Sequence, residues 1–207
     1  MENCTPSDTS FPPGAIFVKS DEGECFDDTV RYQAAIGSLM FASVTTRPEN
    51  AYSTNLFAQF NGAPSKKYWN GVKHIFRYLR GTVTTGILYS KARLTESGFT
   101  PTAYSDADNG KGHDRKSLSG SVITIAGGAI KWAVEKQRLI TISTSESEYV
   151  VANLTGRNCL FLRDVMEEIV FKHNEPLPLF MNSDIAIALT KNPENMRATL
   201  HIDKIYY

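Results

Sequence analysis

Between Tyr32 and Thr45 the run YQAAIGSLMFASVT places Ile36, Met40 and Phe41 at helical spacing, which predicts a first helix. A second helical pattern runs from Asn55 to Phe60 and ends near Gly62-Ala63-Pro64. Ser65 has the right chemistry to cap a third helix, whose apolar stripe is Trp69, Val72, Ile75, Phe76 and Leu79, with Gly81 as its stop. After Gly86 the pattern changes to strands. Ile87-Leu88-Tyr89 reads as a short extended piece, and Thr102 to Ser105 as a strand leading into Asp106. Ser121–Ala126 and Ala129–Ala133 form a predicted hairpin across Gly127-Gly128, and Leu139–Ile142 is a further β-branched stretch. A long helix or helix pair follows from Ser145 to Val170, then a polar break at 172–175. The strand Leu177–Met181 and a helix starting at Ile185 complete the pattern. Strands followed by helix, strand and helix predict an α/β fold with a mixed sheet flanked by helices, over 98–207. A small helical module at 29–97 precedes it, after a flexible acidic lead-in at 1–28.

Composition adds little by itself. At 207 residues, 42% hydrophobic and 21% charged, the chain has an ordinary globular makeup. No window approaches the roughly 18 apolar residues of a membrane span. The polar start, with Glu2 and Asp8, lacks the form of a signal peptide, so an intracellular protein, cytoplasmic or nuclear, is expected. Cys4, Cys25 and Cys159 stand too far apart for a zinc knuckle and are expected as reduced thiols.

Charge changes the picture. The formal net charge is zero, yet residues 1–28 carry seven acids against Lys19. Residues 61–95 carry Lys66, Lys67, Lys73, Arg77, Arg80, Lys91 and Arg93 with no acid. The basic residues of the third helix fall mostly off its apolar stripe. They make either a solvated face or an edge that contacts phosphates.

Candidate chemistry lies in the second half. Asp106 and Asp108 end a strand two residues apart, Glu146 and Glu148 open a helix, and Asn182 and Asp184 close the next strand. Each taken alone has an ordinary role, a turn residue or a first-turn acid favoured by the helix dipole. Taken together they could converge at one rim of a sheet, where α/β folds place their sites. Oxygen ligands of this kind suit Mg²⁺ or Mn²⁺, and two such ions about 4 Å apart support phosphodiester hydrolysis.

At these residues a resemblance enters. The stretch YSDADNGKGHDRKSLSGSVITIAGGAIKWAVEKQRLITISTSESEYVVAN is similar to the ribonuclease H domain of copia-type retrotransposon Pol polyproteins. That family shows YSDADWA, a D-R-K-S-x-S-G segment, an aromatic hairpin, a K-K-Q turn and S-S-T-E-A-E-Y. Upstream, YQAAIGSLMFASVTTRPENAYSTNLFAQF and WNGVKHIFRYLRGT resemble the thumb-side end of the same polyprotein's reverse transcriptase. Downstream, PLPLFMNSDIAIALTKNP and LHIDKIYY resemble C-D-N-Q-S-A-I-x-L-x-x-N-P and K-H-I-D-I-R-Y-H.

The resemblance implies a ribonuclease H-like fold and metal-dependent cleavage of RNA in RNA–DNA hybrids during reverse transcription. Asp106 and Glu148 match catalytic, Mg²⁺-binding acids. Lys66, Lys67, Lys73, Arg77 and Arg80 are the candidate contacts to the nucleic-acid backbone, with the rest of the polyprotein as a further partner. The pattern departs at the third acid, which is Asn182 here, and at the fourth, whose A-D-x-L-T-K stretch lies past Tyr207. Asp203 belongs to the H-I-D segment, and Asn109 stands where the family has Trp. The expectation is a truncated domain with impaired hydrolysis, or an inactive remnant that binds nucleic acid. Asp184 is a conceivable substitute ligand if its strand continues.

Overall fold

The computed structural model describes residues 4–15, 17, 24–97, 99–108, 116–169 and 175–191. Backbone contacts divide the chain into two compact units, 1–87 and 88–207. The sequence pattern set that division at 97/98.

The first unit holds α1 (Thr29–Thr45), a 3-10 turn (Pro48–Asn50), α2 (Ala51–Ala58) and α3 (Lys66–Gly81). The Asp28 side chain caps α1 by accepting from the Arg31 N–H at 2.9 Å. Ser65 caps α3 by accepting from the Tyr68 N–H, as its position predicted. Tyr32, Ile36, Leu39, Phe57, Tyr68, Val72 and Ile75 form a closed core. Phe41, expected on the buried stripe of α1, instead faces outward at 71% exposure. A helix repeats every 3.6 residues, so a face through Tyr32, Ile36, Leu39 and Ser43 turns Phe41 away.

The lead-in is not a free tail where it is described. Phe11 packs its ring against Phe17, Tyr52 and Phe57, and the Ser7 N–H donates to the Arg77 carbonyl. Two aromatic anchors in a polar segment are enough to hold it on the helices.

The second unit contains α4 (Lys91–Ser97), β1 (Thr102–Ala107), β2 (Leu118–Ile125), β3 (Gly128–Lys136), α5 (Thr144–Glu168), β4 (Leu179–Phe180) and α6 (Asp184–Lys191). The fold class is α/β, with a four-stranded mixed sheet in the order β3-β2-β1-β4. β2 pairs antiparallel with β1 and β3, and β4 lies parallel to β1. The hairpin turns on Ala126 and Gly127, both at positive φ (53° and 81°), one residue earlier than the Gly-Gly pair suggested. Two consecutive positive φ angles match the twist of the flanking strands.

Two expected strands are absent. Tyr89 stacks its ring over Gly128 and donates its hydroxyl to the Ala129 carbonyl, so the 87–89 segment braces the hairpin end and joins no ladder. The Ile142 N–H is taken by the Glu146 carboxylate, and Ile142 is exposed. The strand expected over Leu177–Met181 is only two residues long. Along β1, Ala103, Ser105 and Ala107 are buried, while Tyr104 and Asp106 face the other way. Ala103 meets Ile123 and Cys159 of α5, and α5 buries Tyr149 and Val150 against Ala186 and Leu189 of α6.

Candidate functional site

Asp106 occupies the next-to-last position of β1 on its exposed face. Two residues before it, Tyr104 is the register partner of Phe180. Two residues beyond Phe180 stands Asn182, so parallel pairing alone brings 106 and 182 side by side. The Asn182 Nδ2–H donates to Asp106 Oδ1 at 3.2 Å.

Glu148 arrives from α5. Ser143 caps this helix and accepts from the Glu146 N–H, and Glu148 follows in the first turns. Its side chain is 2% exposed. Oε1 accepts from the Ala107 N–H at 3.1 Å, while Oε2 is buried with no donor facing it. Burial pushes the Glu148 carboxyl up to about 7, because the charged form loses water. The Ala107 N–H opposes that rise, and the Asp106 charge and hydrogen bond reinforce it.

The structure brings Asp106, Glu148 and Asn182 together and assigns other work to the neighbouring acids. Asp108 Oδ1 accepts from the Leu118 N–H at 2.6 Å and its own N–H donates to the Leu118 carbonyl, tying β1 to β2. Glu146 Oε2 accepts from the Ile142 N–H at 2.7 Å and finishes the cap of α5. Asp184 does not prolong β4. The chain turns after Phe180, Ser183 accepts from the Ala186 N–H, and Asp184 opens α6. The condition for Asp184 to face the site is therefore not met. Asp203 and Asn109 lie outside the described residues.

Among the described residues, no three His, Cys, Asp or Glu side chains form a metal-binding group. The donor set is two carboxylates and one amide. A buried carboxylate oxygen without a donor, a solvent-facing carboxylate and the Asn182 carbonyl fit a single oxygen-seeking divalent cation. They carry too little charge to hold a pair of ions.

The basic candidates lie on α3, in the other unit. Lys66 and Lys67 are exposed. Lys66 Nζ pairs with Glu24 at 2.7 Å, and this partner holds its pKa above the ordinary value. Lys67 sits over the Phe17 ring, 5.5 Å from its centroid. Arg77 Nε donates to the Thr5 carbonyl and Arg80 to that of Cys4. Carbonyl contacts leave the guanidinium charges in place, while these side chains also fasten the lead-in. Lys73 is half-buried on the same helix.

Sequence reasoning passed over Gln137. It is buried just past β3 and bonded to both β2 and α5. The K-K-Q turn, E-K-Q here, was the available signal.

No family model and no solved structure matches the chain. Curated proteins do. The chain is 36% identical over 179 residues to the retrovirus-related Pol polyprotein from transposon TNT 1-94 of Nicotiana tabacum, covering 86% of this chain and 13% of that protein. It is 28% identical over 186 residues to the retrovirus-related Pol polyprotein from transposon RE2 of Arabidopsis thaliana, covering 89% of this chain and 12% of that protein. It is also 32% identical over 134 residues to the secreted RxLR effector protein 161 of Plasmopara viticola, covering 64% of this chain and 92% of that protein. The chain thus spans about an eighth of the length of the transposon relatives. No helix among the described residues is long and apolar enough to cross a membrane. By these matches, the chain's homologues are retrovirus-related Pol polyproteins from transposons, 28–36% identical over most of its length.

Proposed function

We propose that this chain is a retrotransposon-derived ribonuclease H-type domain, preceded by the end of a reverse transcriptase, which binds RNA–DNA hybrids but cleaves them poorly. One observation carries the reading: a strand end, a parallel strand end and a helix start bring Asp106, Asn182 and Glu148 to one rim of a mixed sheet. In that site Asp106 and Glu148 would hold one Mg²⁺ or Mn²⁺, and the Asn182 carbonyl would be a neutral third ligand. A bound cation supplies Lewis-acid stabilisation of the phosphodiester oxygens. Glu148 fixes the inner wall through the Ala107 N–H, and Asp106 faces the solvent from which a duplex arrives. The α3 patch contributes backbone attraction.

Asn182 itself favours the neighbouring reading, a remnant that binds nucleic acid without hydrolysis. Its amide donates to Asp106 where an acid would demand a cation. The deciding experiment offers the full chain a labelled hybrid with Mg²⁺ or Mn²⁺, alongside Asp106→Asn. Expected are salt-sensitive binding and little or no cleavage. Vigorous Mg²⁺-dependent cleavage that disappears in Asp106→Asn would overturn the claim of impairment. A chain that binds hybrid no better than an uncharged polymer would remove the nucleic-acid reading altogether.

A further inference from the structure

Gln137 is 4% exposed, and its side-chain Nε2 donates twice, to Ser119 Oγ and to the Ser147 carbonyl, each at 3.0 Å. Its backbone N–H donates to the Ser117 carbonyl at 2.8 Å. Its Oε1 is buried without a donor, a liability an apolar side chain of the same size would not carry. Filling space therefore does not explain a glutamine here.

The two donor bonds close a ring. Ser147 is the backbone neighbour of Glu148, and Glu148 Oε1 is held by the Ala107 N–H. Ala107 is the cross-strand partner of Ser119, and Ser119 returns to Gln137. From these contacts we propose that Gln137 is a positioning residue for the Glu148 carboxylate, fixing the first turns of α5 against the β1–β2 rim. That this carboxylate works as a ligand rests on the function proposed above; the ring does not. A methionine-like side chain would fill the same volume but hold neither Ser119 nor Ser147. The glutamine pins helix and strand at the one place where Glu148 crosses between them.

The test uses the full chain and site-resolved amide hydrogen exchange. Gln137→Met keeps length and bulk while removing both donors. Exchange of the Ala107 N–H is expected to quicken about tenfold. Exchange of the Ala103 N–H, on the same strand as Ala107 and donating to the Pro178 carbonyl, should change less than about twofold. Equal acceleration at both amides, or none at either, overturns the proposal, since a general packing role predicts the former. If Gln137→Met does not fold, Ser119→Ala decides, with about a threefold acceleration expected at Ala107 alone. Mn²⁺ titrated into the unmodified chain reads the site separately. Broadening of the Asp106 and Glu148 signals supports the ligand assignment. Its absence, with the local exchange effect intact, removes the cation reading and leaves the positioning role standing.

Discussion

Glu148 is the residue whose environment makes the sharpest demand. Its carboxyl is raised to about 7 from an ordinary 4.5, so the folded chain binds a proton that the unfolded chain releases between those values. The stabilising contribution is fully present below about pH 4.5 and is lost as pH rises through about 7. Melting temperature should therefore fall between about pH 5 and about pH 8, and Glu148→Gln should flatten that fall. An unchanged slope in the variant would locate the dependence elsewhere. Asn182 makes the complementary prediction. In Asn182→Asp the donated N–H becomes a third carboxylate, and stability without cations should drop by on the order of 1 kcal/mol, modest because both groups face solvent. Millimolar Mg²⁺ should recover it, as a ligand that binds only the folded state must. Equal melting with EDTA and with Mg²⁺ would show that the site takes no cation. At this scale the sequence named Asp106, Glu148 and Asn182 correctly as neighbours. It could not separate them from Asp108 and Glu146, because spacing does not reveal which acid a backbone N–H has already claimed.

Among the elements, α3 was the most legible. Ser65, the apolar stripe and Gly81 mark its ends and inner face with side-chain chemistry that acts within one turn. The hairpin was legible for the same reason, apart from the one-residue shift of its turn. The 87–89 and 139–142 segments misled because β-branched and aromatic residues favour strands only when a partner strand is available, and here Tyr89 and Ile142 are used for packing and capping. Gly71 provides the test of how α3 docks. A Cβ there would overlap the Phe57 ring, which is itself fully buried. Gly71→Ala should cost about 1–3 kcal/mol in chemical denaturation despite its better helix propensity. A gain in stability would mean that the ring can move aside.

For the molecule as a whole, zero net charge hides separated patches, and the consequence can be measured. Hybrid affinity should fall with salt at about 0.9 log units per log unit for each phosphate engaged. Lys66→Glu with Lys73→Glu should flatten that dependence while Arg77 and Arg80 keep the lead-in in place. An unchanged slope would return α3 to the role of a solvated surface. The mixed sheet was legible from the order of patterns. The division at 87/88 was not, because α4 carries no strand or cap signal to announce that it belongs with the hairpin.

β4 is two residues long, and its pairing with β1 is closed by one stacked ring pair, Tyr104 on Phe180 at 5.4 Å. Asp106 and Asn182 sit just beyond that last rung. In mechanical terms the clasp holding them together is the shortest seam in the sheet. A seam of two rungs opens at a lower free-energy cost than the folded core. The Asp106–Asn182 contact is therefore expected to open with this seam before global unfolding, and whatever occupies the rim meets that opening first.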